Sequence, residues 1–135
     1  MKIVREYIEF ERTDDTYHNL DIGKKHMIEK WLKDIGIDEY DYQINDDLTI
    51  DVFKDVNIIN KELEELPEFI KFGEIHGGFY AGGNDWQTLR GFPDIVHEDL
   101  QVRSPSTSPI FRQNIQRFSE QEIEKLIKVY GQIYH

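Results

Sequence analysis

Apolar residues recur along this chain in more than one rhythm. Between Gly23 and Gly36 they fall at Met27, Ile28, Trp31, Leu32 and Ile35, all on one face of a helix, while lysines occupy the other face. Asp21 is placed to cap such a helix and Gly36 to follow it as the C′ residue, so the spacing predicts a helix over 23–36. The pattern then becomes alternating. Leu48, Ile50 and Val52 are separated by Thr49 and Asp51 and preceded by the turn-forming run Asn45-Asp46-Asp47, which predicts a hairpin of 42–44 with 48–52. Near the C-terminus, Ser119-Glu120-Gln121-Glu122 has the form of a capping box, with Phe118 before it as a staple residue. Ile123, Leu126, Ile127 and Tyr130 continue as an apolar face and Gly131 as a stop, predicting a second helix over 119–131 with a short strand or tail at 132–134.

Between these segments the chain repeats itself. Val52-x3-Val56-x-Ile58 recurs as Ile75-x3-Phe79-x-Ala81 and as Val96-x3-Leu100-x-Val102, in steps of 23 and 21 residues. Leu63 and Leu66 likewise recur as Trp86 and Leu89, which places Trp86 in the core. This period falls in the range of leucine-rich repeats, and the second unit fits best, with Asn84 placed to bond backbone groups where the chain leaves the strand. Lys61 and Pro105 stand at that position in the other units, so the asparagine ladder is incomplete. Repeats bury their faces only by stacking, and so few of them need caps. The expected fold is α+β: a leucine-rich-repeat-like sheet of two to three units capped by an N-terminal and a C-terminal helix. The expected single domain runs 1–135, with an extension to 22, hairpin and repeat sheet over 42–104, and a loop over 105–118.

Composition narrows the functional classes. The 135 residues carry 16 basic and 27 acidic side chains, for a net charge of −11, which argues against general binding to a phosphate backbone. The absence of cysteine removes disulfides, thiolate metal sites and thiol nucleophiles. No apolar run has the length of a membrane span, and the start MKIVREYIEFER lacks a signal-peptide core, so no membrane partner is expected. Gly77-Gly78 and Gly82-Gly83 make neither a dinucleotide fingerprint nor a phosphate loop. No nucleophile elbow or metalloprotease motif occurs either, so enzyme chemistry and cofactors are not expected.

The blocks FERTDD, IEKWL, INDDLTIDV, NDWQTLRGFP and RFSEQEIEKL together resemble a family of short leucine-rich-repeat-like proteins encoded by tailed bacteriophages. The repeat array is shorter here, Trp86 replaces the usual leucine, and Phe92 replaces a cysteine. The resemblance implies a viral origin and a recognition scaffold, and it carries no catalytic residue. With the cysteine-free composition and the missing export signal, which point to the inside of a cell, the expected setting is the host cytoplasm, where the chain meets a host or phage protein. An inhibitor of host defence and a virion or assembly component are the competing roles.

Three candidate surfaces follow. In stacked units the residues between the apolar positions face outward, which assigns partner binding to Tyr80 as anchor with Asp55, Asn57, Asp99, Gln101 and Arg103 around it. The stretch 34–55 holds eight carboxylates and one lysine, and Asp38, Glu39 and Asp41 within it form a candidate acidic surface, either a solvated face or a nucleic-acid mimic blocking a basic site. Residues 103–117 carry Arg103, Arg112 and Arg117 with no acid, so self-association through opposite charges is a further option. His76 and His97 occupy equivalent repeat positions and with Glu98 or Asp99 have the donor types of a zinc site. The spacing fixes no third ligand, however, and no metal is assigned.

Overall fold

Helix α1 (Thr13–Asp34) turns one narrow stripe to the core: Ile28 and Leu32 are fully buried and Trp31 packs against Phe72 with ring centroids 6.2 Å apart. The structure, a computed structural model, describes residues 13–103 and 116–135, with side chains from residue 22 onward. The helix stops in a Schellman arrangement, in which Gly36 N–H donates to the Lys33 carbonyl (3.0 Å) and Ile37 N–H to the Leu32 carbonyl (2.9 Å). Gly36 sits at φ +88°, so it is the C′ residue that its position in the sequence predicts. The start of the helix differs from expectation. Asp21 lies inside α1, ten of the residues assigned to an extension are helical, and Met27 is half exposed.

Among the described residues the remaining chain forms nine strands and a second helix, an α+β architecture. A 3₁₀ turn (Glu39–Asp41) leads into β1 (Tyr42–Ile44), which pairs antiparallel with β2 (Ile50–Val52). Asp47 closes this hairpin by accepting from the Thr49 amide at 3.0 Å and hydroxyl at 2.6 Å, and these bonds, the hydroxyl first, hold its carboxyl below the usual range. From β2 onward each unit contributes one strand to each of two sheets. One order is β1-β2-β4-β6-β8, with β4 (Phe72–Ile75), β6 (Ile95–Val96) and β8 (Lys128–Val129). The other is β3-β5-β7-β9, with β3 (Val56–Asn57), β5 (Phe79–Tyr80), β7 (Leu100–Gln101) and β9 (Ile133–Tyr134), all parallel.

The register follows the repeat. Val56 pairs with Phe79, Phe79 with Leu100, and Leu100 with Ile133. Inward residues of both sheets meet the apolar residues of the long returns in one core, where Phe79 lies 5.3 Å from both Phe72 and Phe92. Trp86 is core, as its repeat position predicts: its ring stands edge-on to Phe92 and its indole N–H donates to the Ala81 carbonyl at 2.7 Å.

The C-terminal segment departs most from expectation. The capping box forms, Ser119 N–H donating to Glu122 Oε1 (2.8 Å) and Glu122 N–H to Ser119 Oγ (3.1 Å). Yet helix α2 is only Glu120–Leu126, not 119–131. Ile123 and Ile127 are buried, whereas Leu126 and Tyr130 are exposed, because the chain leaves the helix to lay β8 and β9 onto the repeat sheets as a fourth unit. The sheet therefore extends beyond the 42–104 segment, and most of the 105–118 loop, Arg112 included, lies outside the described residues.

The capping box makes α2 sensitive to acid. The Ser119 amide, and then its hydroxyl, hold the Glu122 carboxyl below its ordinary range. A depressed folded-state value contributes stability above the unfolded value, lost as pH falls through the folded one. Replacing Glu122→Gln is expected to flatten the thermal stability profile between about pH 5 and pH 2. Parallel acid-melting curves of the two proteins would contradict this.

Candidate functional site

The solvent face of the four-stranded sheet is built from rows that cross all four strands. Register places Asn57, Tyr80, Gln101 and Tyr134 side by side, with neighbouring strands about 4.8 Å apart. Tyr134 completes the row and was not among the expected site residues; its signal is the Val129-x3-Ile133 spacing, which repeats Val96-x3-Leu100 after a step of 33. Tyr80 does not project. Its ring lies back over Gly78, where an added Cβ would come within 2.5 Å of the phenol oxygen. Burial, then the carboxylates of Asp55, Asp99 and Glu98, push its hydroxyl above the ordinary tyrosine value. Tyr134 leans back in the same way, donating its hydroxyl to Gln132 Oε1 at 3.0 Å. Between the two tyrosines, Gln101 Oε1 is sealed from water with no hydrogen-bond partner among the described residues.

The other expected contact residues divide. Asn57 is exposed in the row and its Oδ1 also accepts from Ile59 N–H. Asp55 and Asp99 sit at the corner between the two sheets and bridge to the following unit, Asp55 Oδ1 accepting from Gly78 N–H (2.7 Å) and Asp99 Oδ1 from Gln132 N–H (2.9 Å). Asp51 does the same for Glu74 N–H at 2.9 Å. These carboxylates tie successive units together. Arg103 lines a narrow crevice with Asn84, Trp86, Arg117 and Phe118, and its backbone N–H donates to the Tyr134 carbonyl at 3.1 Å. The structure thus brings together Asn57, Tyr80, Gln101 and Tyr134, flanked by Asp55 and Asp99.

Of the eight carboxylates in 34–55, Asp47, Asp51 and Asp55 accept backbone hydrogen bonds and Asp41 pairs with Lys54 at 3.6 Å. Asp38 and Glu39 line an open groove of about 620 Å³ with Glu29, Lys33 and Tyr42. Burial raises the Tyr42 hydroxyl, and the negative charges of Glu29, Glu39 and Asp38 raise it further.

At the corner beside β2, β4, β6 and β8, four rings stack in unit order: Phe53, His76, His97 and Tyr130. The centroids are 5.2 Å apart for Phe53–His76, 4.9 Å for His76–His97 and 5.4 Å for His97–Tyr130, with the two imidazoles within 9° of parallel. The carboxylate that reaches them is Glu74, not Glu98 or Asp99. Its Oε2 contacts His97 Nε2 at 2.5 Å and lies 3.9 Å from His76 Nε2. Neither histidine nor Glu74 is buried, so this corner is open to solvent.

No family model, curated protein or solved structure matches the chain. The site is therefore read from its own geometry. No helix among the described residues is long and apolar enough to cross a membrane.

Proposed function

We propose that the chain is a non-enzymatic protein–protein recognition module whose binding surface is the open face of the four-stranded sheet. The observation that carries this reading is the in-register row Asn57–Tyr80–Gln101–Tyr134, two aromatic and two amide side chains set across four rigid parallel strands. Tyrosines already held against a sheet lose little rotamer entropy on binding, and their hydroxyls and the exposed Asn57 amide supply directional contacts. Asp55 and Asp99 add negative charge beside the row, which suits a partner offering basic or donor groups. The repeat units are proposed to work as a leucine-rich-repeat-like scaffold, closed at one end by α1 and at the other by α2 with its following strands. The resemblance to short phage proteins supports a setting inside an infected cell, with a host protein as the partner.

The test is affinity capture from infected cells with the wild-type chain and with Tyr80→Ala, followed by measured affinities for the captured protein. Loss of a central aromatic anchor is expected to weaken binding by roughly 30-fold, corresponding to about 2 kcal/mol. The variant's melting curve must show it folded. A folded Tyr80→Ala protein that binds the same partner undiminished removes this face as the site.

A further inference from the structure

We propose that Glu74, His76 and His97 bind a single divalent transition-metal ion of the zinc class, at the sheet corner and independently of the tyrosine row. The three side chains come from two successive units, and the fold itself brings them together. Ile75 points into the core, so Glu74 and His76 on either side of it face out. Pairing of Ile75 with Val96 then sets His97 beside His76. Both histidine backbones are pinned by the parallel ladder, His76 N–H donating to the Val52 carbonyl (2.8 Å) and His97 N–H to the Ile75 carbonyl (3.0 Å).

One donor atom from each of the three side chains lies within 4.8 Å of the others. Tetrahedral zinc with bonds of about 2.0–2.1 Å needs donors roughly 3.4 Å apart. The two imidazoles stand within 9° of parallel, so their Nε2 ends must tilt toward each other to share one ion. This movement is open to them because all three side chains are between 36% and 40% exposed and none is wedged in the core. The Phe53 and Tyr130 rings on the outer faces of the imidazole stack limit how far the rings turn.

Donor chemistry selects the ion. Two imidazoles and one carboxylate are a borderline-soft set suited to zinc, copper or nickel, whereas calcium and magnesium prefer oxygen donors alone. An ion here would take the place of the proton in the Glu74–His97 contact and retain at least one position for water, since three protein donors leave the tetrahedron open. The carboxylate brings one negative charge, so the ion is only partly neutralised and the surface charge at this corner changes on binding.

The experiment titrates the untagged full-length chain with zinc chloride by calorimetry, with magnesium chloride as the comparison ion. Saturation at one equivalent of zinc, no uptake of magnesium, and a rise in melting temperature on the order of 5 °C at excess zinc are expected. Side-chain NMR should show the His76 and His97 ring signals moving while those of His18, His26 and His135 stay in place. His76→Gln and His97→Gln should each weaken binding by about 100-fold or more, with Glu74→Gln also weakening it. Both imidazoles lie on the surface, so the variants are expected to melt near the wild-type temperature; if either does not, the ring-signal result on the unaltered chain decides. Absence of zinc uptake, uptake that persists in the His76→Gln, His97→Gln double variant, or signals that move only at the other histidines would overturn the proposal.

Discussion

Replacing Asn84→Ala is expected to lower stability by about 3–5 kcal/mol, the cost of leaving several buried backbone groups without partners. Asn84 is the one buried polar residue of the described core, 2% exposed. Its Oδ1 accepts from Lys61 N–H (2.9 Å) and Leu63 N–H (3.1 Å), which belong to the preceding unit. Its Nδ2 donates to the carbonyls of Ile58 (2.8 Å), Ala81 (3.0 Å) and Gly82 (3.3 Å). One side chain thus satisfies backbone groups of two units where both turn away from the sheet. Removing it strands donors and acceptors together. The melting temperature should fall by roughly 10–20 °C. Asn84→Asp is expected to be similarly damaging, because a carboxylate keeps the acceptor but sets negative charge against the Ile58 and Ala81 carbonyls. An Asn84→Ala protein melting beside the wild type would show that the turn is held by other means.

This bonding was legible in the sequence, because an asparagine at that point of a 23-residue period has few other tasks. The strand register Val56–Phe79–Leu100 was legible for the same reason, since apolar spacing and sheet period coincide. What escaped had no period of its own. The fourth unit is separated from the third by 33 residues instead of 21 or 23, and the insertion contains a helix whose apolar residues run on without a break into β8. Ile123, Ile127 and Tyr130 keep helical spacing in the sequence while only the first is in a helix. The first turns of α1 carry polar residues with no apolar stripe, so nothing in the pattern marked their start.

The site was legible in part. Tyr80, Asn57 and Gln101 follow from the outward positions of the units, but Asp55 and Asp99 turned out to hold the next unit's amides. Spacing placed His76 beside His97 and could not find Glu74, because the choice among nearby carboxylates depends on which side of the corner each one leaves the backbone. Glu98 and Asp99 come after the corner begins to turn, whereas Glu74 is still on the strand.

The same chemical change at three glycines should give three different results, and the tightness of the corner decides the order. Gly77 lies where one unit passes over the next, and a Cβ there would meet the Asp55 carboxylate, the Asp55 nitrogen at 2.7 Å and the Lys54 carbonyl carbon at 2.8 Å. Two of those atoms are backbone of the first unit, whose strand β2 is held between β1 and β4, so neither can swing away. Gly77→Ala is expected to destabilise by about 3 kcal/mol, the upper part of the usual range for overpacking. Gly131 is its equivalent in the fourth unit, where a Cβ would meet the Glu98 carbonyl carbon at 2.5 Å and oxygen at 2.6 Å. That unit forms the edge of both sheets and can move outward, so Gly131→Ala should cost less, about 1–2 kcal/mol. Gly23 stands in α1 with no atom within 4 Å of an added Cβ. There the methyl group only restricts the unfolded chain and improves helix propensity, and Gly23→Ala should stabilise by about 0.5–1 kcal/mol. Denaturant melts of the three single variants measure all of this at once. The stacking of backbone on backbone at the corner requires the order Gly77→Ala, Gly131→Ala, wild type, Gly23→Ala from least to most stable, and equal losses at Gly77 and Gly131 would mean that the edge unit is held as rigidly as the interior.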